Sequence, residues 1–170
     1  MNSNKYTSGF TLIEMVLYMG LLSILIAIMS QMFIATLGVK IESEAGSSIQ
    51  QDGNYIFSRI AYDIHRASRI IAPELGESGS IISLGIIEGG VERIYQYVLE
   101  NNTLTLADGV TTEPIHSADT NVSTFTVTRV GNSATIINAK DTLHLFITIT
   151  SVNALTGAQQ MTFQSTAGLR

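Results

Sequence analysis

The chain has 170 residues, 14% of them charged, a net charge of −5 and no cysteine. That length suits one globular domain plus a membrane segment. The acidic balance argues against the basic face that nucleic-acid binding requires, and the absence of thiols excludes a disulfide framework or a thiolate site.

Mean hydropathy is positive, +0.29, and most of the excess lies in the first forty residues. A short polar leader containing Lys5 comes first, followed by Gly9-Phe10-Thr11-Leu12-Ile13-Glu14 and then the charge-free run Met15–Val39. A helix needs about 20 mainly apolar residues to cross a bilayer, so this run is long enough. Its Leu, Ile, Met and Phe side chains surround the helix, as expected in lipid or a packed bundle. Gly20, Ser23, Ala27 and Ser30 recur at spacings of three and four, which lets helices approach closely.

Three plainer readings compete. A secretory signal peptide has an apolar core of only about 7–15 residues, with its cleavage site beyond that core. A simple signal anchor fits the length but gives Glu14 no role. A soluble core helix rarely runs so far without charge. Glu14 is the candidate functional residue, because an ionisable group inside an apolar segment is costly and by default functional. The alternative is a boundary carboxylate that snorkels to the headgroups.

Beyond Lys40, Ile49, Gly53, Ile56, Ile60, Ile64, Ala67 and Ile71 recur at spacings of three and four, which predicts one face of an amphipathic helix. Arg59, Asp63, Arg66 and Arg69 fall largely off that face; the Arg59, Asp63 and Arg66 group reads as a solvated surface with weak local ion pairs or, alternatively, as charges for a partner contact. Ser43–Ser48, around Gly46, is a candidate bend. The helix is expected to stop before Pro73, which disfavours helix in the residue ahead of it. A helix from about Phe10 to about Ile71 would be roughly 90 Å long at 1.5 Å per residue, too long for one small domain to bury.

From Gly79 the period changes towards two. Strands are predicted over Ser80–Ile87, Val91–Leu99, Thr103–Ala107, Val122–Val130, Thr142–Val152 and Gln159–Ser165. Turns are expected at Glu88-Gly89-Gly90, Glu100-Asn101-Asn102, Asp108-Gly109 and Asn153–Gly157. Met161 and Phe163 are placed inward. Strands following one helix predict an α+β fold with an antiparallel sheet.

Gly9 to Glu14, ahead of the apolar run, resembles the type III signal of the type IV pilin and pseudopilin family. Tyr95-x-Tyr97-x-Leu99 running into Asn102-x-Leu104, with the ending Phe163–Arg170, is most similar to J-type minor pseudopilins and related minor pilins. The resemblance implies four segments: a leader (1–9), a transmembrane assembly helix (10–39), an amphipathic helix (40–72) and a β-rich globular domain (73–170). It implies cleavage between Gly9 and Phe10 by prepilin peptidase, N-methylation of Phe10, and an assembly role for Glu14 through a neighbouring subunit's terminal amine. It also implies a single-pass protein of the cytoplasmic (inner) membrane, N-terminus cytoplasmic and globular domain exported, that then enters a filament. The implied partners are prepilin peptidase, other pilin or pseudopilin subunits, the inner-membrane assembly platform and membrane lipid.

The chain departs from parts of the family pattern. It has no C-terminal disulfide, no proline in its helix and no convincing calcium loop. Glu14 itself argues against the tip pseudopilin type that lacks this residue.

Other chemistry is not signalled. His65, His116 and His144 are isolated, and no nucleophile elbow, P-loop, dinucleotide or metal-ligand spacing is present. Asp108, Glu113 and Asp119 share one predicted loop and read as a possible cation cluster or, more simply, as solvated acids. The sequence therefore points to a minor pilin or pseudopilin of a type II secretion or type IV pilus machine. It is expected to be no enzyme and to hold neither cofactor nor metal. The alternatives are a major pilin, or a stand-alone membrane-anchored binding or adhesin domain.

Overall fold

The computed structural model describes residues 9–131, 141–152 and 159–169. The turn expected at Asn153–Gly157 lies outside them, as do the leader residues 1–8. The chain divides into two units, Met1–Lys40 and Ile41–Arg170, and one helix, α1 (Leu12–Arg66), contributes to both.

In the first unit the helix is apolar all round, and its large side chains from Leu12 to Ile34 are exposed. An exposed apolar surface of this extent exceeds what a soluble monomer carries. By length and composition the helix can cross a membrane. Two of its hydroxyls bond back into the helix: Ser23 Oγ donates to Met19 O (2.8 Å) and Thr36 Oγ1 to Met32 O (2.8 Å). Such back-bonding satisfies polar groups where no water is available.

The second unit has an α+β fold. Nine strands follow the helix: β1 (Ala67–Ala72), β2 (Ser78–Gly79), β3 (Ile81–Glu88), β4 (Val91–Glu100), β5 (Thr103–Ala107), β6 (Thr112–Pro114), β7 (Thr120–Val130), β8 (Thr142–Ser151) and β9 (Gln160–Gly168). They form two antiparallel sheets, ordered β1-β3-β4-β5-β6 and β2-β7-β8-β9. Two-residue turns set the registers of the first sheet. Gly89 and Gly90 join β3 to β4, and Asn101 and Asn102 join β4 to β5, all four at positive φ. Paired positive φ values twist a tight hairpin in the hand its strands require, and Gly and Asn tolerate them best. Glu88 accordingly faces Val91, and Glu100 faces Thr103.

Ile49, Ile56, Ile60 and Ile64 of α1 are fully buried. They share one core with Ile82, Leu84 and Ile86 of β3, Tyr97 of β4, and alternate residues of β7 and β8. The predicted helical stripe is thus present as far as Ile64. The helix ends at Arg66, however, and residues 67–72 form a strand rather than a last helical turn. Pairing decides this: β1 lies antiparallel to β3, with Ala67 opposite Ile86 and Ile70 opposite Leu84, and Ser68 Oγ donates to Gly85 O (2.9 Å). Ala67 and Ile70 are buried, whereas Ile71 is exposed.

The helix also passes through residues 43–48 without a break. A Cβ on Gly46 would stand 3.4 Å from Gln159 Oε1, so this glycine lies close to the residue leading into β9 and marks no bend. Phe163 packs against the core as expected, but Met161 is exposed.

Gly53 is a closer fit. A Cβ there would lie 2.5–2.8 Å from three ring atoms of Phe163, whose ring also meets Phe57 at 6.3 Å between centroids. Alanine at a helix interior ordinarily gains about 1 kcal/mol over glycine, yet overpacking a core costs about 1–3 kcal/mol. Gly53→Ala is therefore expected to destabilise the protein, by about 1 kcal/mol net. The midpoint of urea unfolding in detergent measures it; a raised midpoint would show that the ring moves aside freely.

Candidate functional site

The first site is the head of α1. Gly9, Phe10 and Thr11 precede the helix in irregular backbone, and Gly9 and Phe10 are exposed. Among the described residues nothing lies within 4 Å of where a Gly9 Cβ would stand, so packing does not demand glycine here. Thr11 opens the helix. Its carbonyl accepts from Glu14 N (3.1 Å) and Met15 N (3.2 Å), and its Oγ1 from Glu14 N (3.4 Å). Thr11-Leu12-Ile13-Glu14 has the spacing of a capping box, hydroxyl at the cap and carboxylate three residues on. That spacing is a signal in the sequence which hydropathy alone does not register. The Glu14 carboxylate turns along the helix and accepts a hydrogen bond from Tyr18 Oη at 3.3 Å. The Tyr18 ring meets the Phe10 ring edge-on, at 6.2 Å and 75°. Phe10, Glu14 and Tyr18 therefore form one group.

The second polar cluster is Asp63 with its partners, where the sequence reading needs correction. Asp63 is not on a solvated face but 0% exposed. Tyr97 Oη of β4 donates to its Oδ2, Arg66 Nε donates to its Oδ1 at 2.9 Å, and Arg59 Nε lies 3.3 Å from Oδ2. Arg66 reaches on to Glu88 Oε1 (2.8 Å) and sits over the rings of Tyr62 and Tyr95, 5.0 and 4.7 Å from their centroids. Tyr95 Oη also donates to Glu88 Oε1 (2.9 Å). Burial, and then the hydrogen bond to Asp63, push the Tyr97 hydroxyl well above its usual pKa. The Tyr95 hydrogen bond, then Arg66, hold Glu88 below the usual carboxylate range. The whole cluster joins the end of the helix to the first sheet.

A buried aspartate on the same helix went unnoticed in the sequence. Asp52 Oδ2 accepts from Ser117 N (3.0 Å), Ser117 Oγ (2.7 Å) and Thr120 Oγ1. It fixes the segment between β6 and β7. Asp108, Glu113 and Asp119 do not behave as one group. Asp108 Oδ1 closes its own turn by accepting from Val110 N (2.9 Å) and Thr111 N (2.8 Å), and these bonds, Thr111's first, lower its pKa. Glu113 lies in β6. Among the described residues no three His, Asp or Glu side chains converge as metal ligands. His65 Nδ1 lies 3.0 Å from Gly168 O, and His144 Nδ1 lies 3.1 Å from Thr166 Oγ1.

An exposed apolar helix capped by Thr11, with a carboxylate in its first turn and followed by an α+β unit, has a pilin-like architecture. Residues 4–30 match the family model of the prokaryotic N-terminal methylation motif. That motif marks a prepilin-type N-terminus, the kind processed by prepilin peptidase in subunits that assemble with other pilin subunits, and it agrees with membrane anchoring through α1. No curated protein and no solved structure matches the chain.

Proposed function

We propose that this chain is a minor pilin or pseudopilin subunit, a structural component of a filament rather than an enzyme. The observation carrying the reading is the methylation motif at residues 4–30 set directly before a charge-free, exposed apolar helix. In this reading prepilin peptidase cuts between Gly9 and Phe10, in accessible backbone outside the helix, and methylates the new Phe10 amine. The leader stays cytoplasmic with Lys5, as the positive-inside tendency favours. The helix remains in the inner membrane until an assembly platform draws the subunit into the filament, with the β-rich unit exported. There Glu14 pairs with a neighbour's Phe10 amine, offsetting the cost of a lone charge in apolar surroundings. The β4–β5 hairpin supports a minor subunit most like the J-type pseudopilins, in a type II secretion or type IV pilus machine. A minor subunit is rare in sheared filaments, whereas a major pilin dominates them.

Intact mass of the protein from its own host's membranes tests the reading. The expected species lacks residues 1–9 and carries one added methyl group. A full-length mass, or a cut beyond the apolar run, would overturn it in favour of an anchored or secreted binding domain.

A further inference from the structure

We infer that Tyr18 is a positioning residue for assembly: its hydroxyl holds the Glu14 carboxylate, and its ring holds Phe10, so that acid and amine are arranged before a neighbour arrives. The inference rests on the proposed filament role of Glu14. Helical side chains lean towards the N-terminus, over the turn before their own Cα. A residue four places after Glu14 therefore lies beside that carboxylate, and a long side chain there extends towards Phe10. Tyrosine alone among the apolar-bodied residues of this stretch offers both a ring to pack on Phe10 and a polar tip for the acid. Both contacts are formed, at 6.2 Å between ring centroids and 3.3 Å from Oη to Oε1. Thr11 takes the Glu14 N–H, and the Glu14 carboxylate lies forward along the helix, where Tyr18 meets it. A carboxylate has about four acceptor positions; one hydroxyl leaves the rest for an incoming ammonium. In apolar surroundings one donor also lowers the cost of the waiting acid. No proton transfer or covalent step is needed.

Tyr18→Phe keeps the ring and removes the donor. The ratio of filament-borne to membrane-pool subunit is expected to fall about tenfold, the ratio equivalent of one charge-assisted hydrogen bond at the lower end of its range. In a Glu14→Gln background the same change should add little. Where that background leaves too little filament to compare, isotope-edited infrared spectra of the processed protein in lipid vesicles decide. The Glu14 carboxyl band should shift between the parent chain and the Tyr18→Phe variant, which a purely packing role would not cause. Unchanged incorporation, an equal loss in both backgrounds, or an unshifted band would each overturn the inference. The leader is assayed in the same samples. An unprocessed wild-type chain removes the filament reading and this inference with it; a processed chain indifferent to Tyr18→Phe removes only the role of Tyr18.

Discussion

Asp63→Ala is expected to lower stability by about 3 kcal/mol. Removing one partner of a buried ion pair costs about 3–5 kcal/mol, because the other charge is left uncompensated. Here Arg59 and Arg66 keep 36% and 27% of their side-chain surface, so both recover some hydration and the cost falls to the lower end. The buried Tyr97 hydroxyl recovers none, and orphaning it costs about 1–3 kcal/mol. Asp63→Asn retains an acceptor for Tyr97 and should cost less than alanine. Urea unfolding of the full chain in detergent measures both; a change under about 0.5 kcal/mol for alanine would show that the cluster merely fills space. The same cluster sets a pH dependence. The folded pKa of Tyr97 is raised, so its contribution is complete below the unfolded value near 10 and is lost as pH climbs past it. Stability should therefore fall at alkaline pH, and Tyr97→Phe should flatten that fall.

What the sequence revealed, and what it concealed, follows from distance along the chain. The head of the helix was legible because its signals are local: six consecutive residues, a charge-free run and one acid. The buried stripe Ile49–Ile64 and the alternation in β7 and β8 were legible because each repeats with its element's own period. The helix end was not, because Ala67, Ile70 and Ile71 suit either period, and β3 chose between them by pairing. Asp63 and Asp52 were misread or missed for a related reason. Charge predicts exposure until a partner removes the penalty, and those partners lie 34 residues away for Tyr97, and 65 and 68 for Ser117 and Thr120. The division of the strands into two sheets was likewise hidden, since β2 joins β7 across 50 residues through Ser78 and Thr128.

Glu14→Ala is expected to leave leader removal and methylation intact while reducing filament incorporation at least about 100-fold, an effect of about 2.7 kcal/mol or more. Two roles for this carboxylate compete, and their magnitudes separate them. As the third residue of a helix opened by Thr11, Glu14 complements the helix dipole, worth about 0.3–1 kcal/mol, and alanine's high propensity repays part of that loss. A purely local role thus predicts less than about a tenfold change. Pairing with an amine predicts far more, because deleting the acid strands a positive charge in apolar surroundings, where an uncompensated ion costs several kcal/mol. Glutamine sharpens the comparison. Glu14→Gln keeps the side-chain length and an acceptor for Tyr18 Oη and removes the charge, so a purely local dipole role predicts a loss of no more than about 0.3–1 kcal/mol for it as well. If incorporation fails in both variants while cleavage proceeds, the charge is what assembly requires. If Glu14→Gln assembles normally, the carboxylate serves its own helix, and filament packing must rest on the apolar surface of residues 15–39 alone.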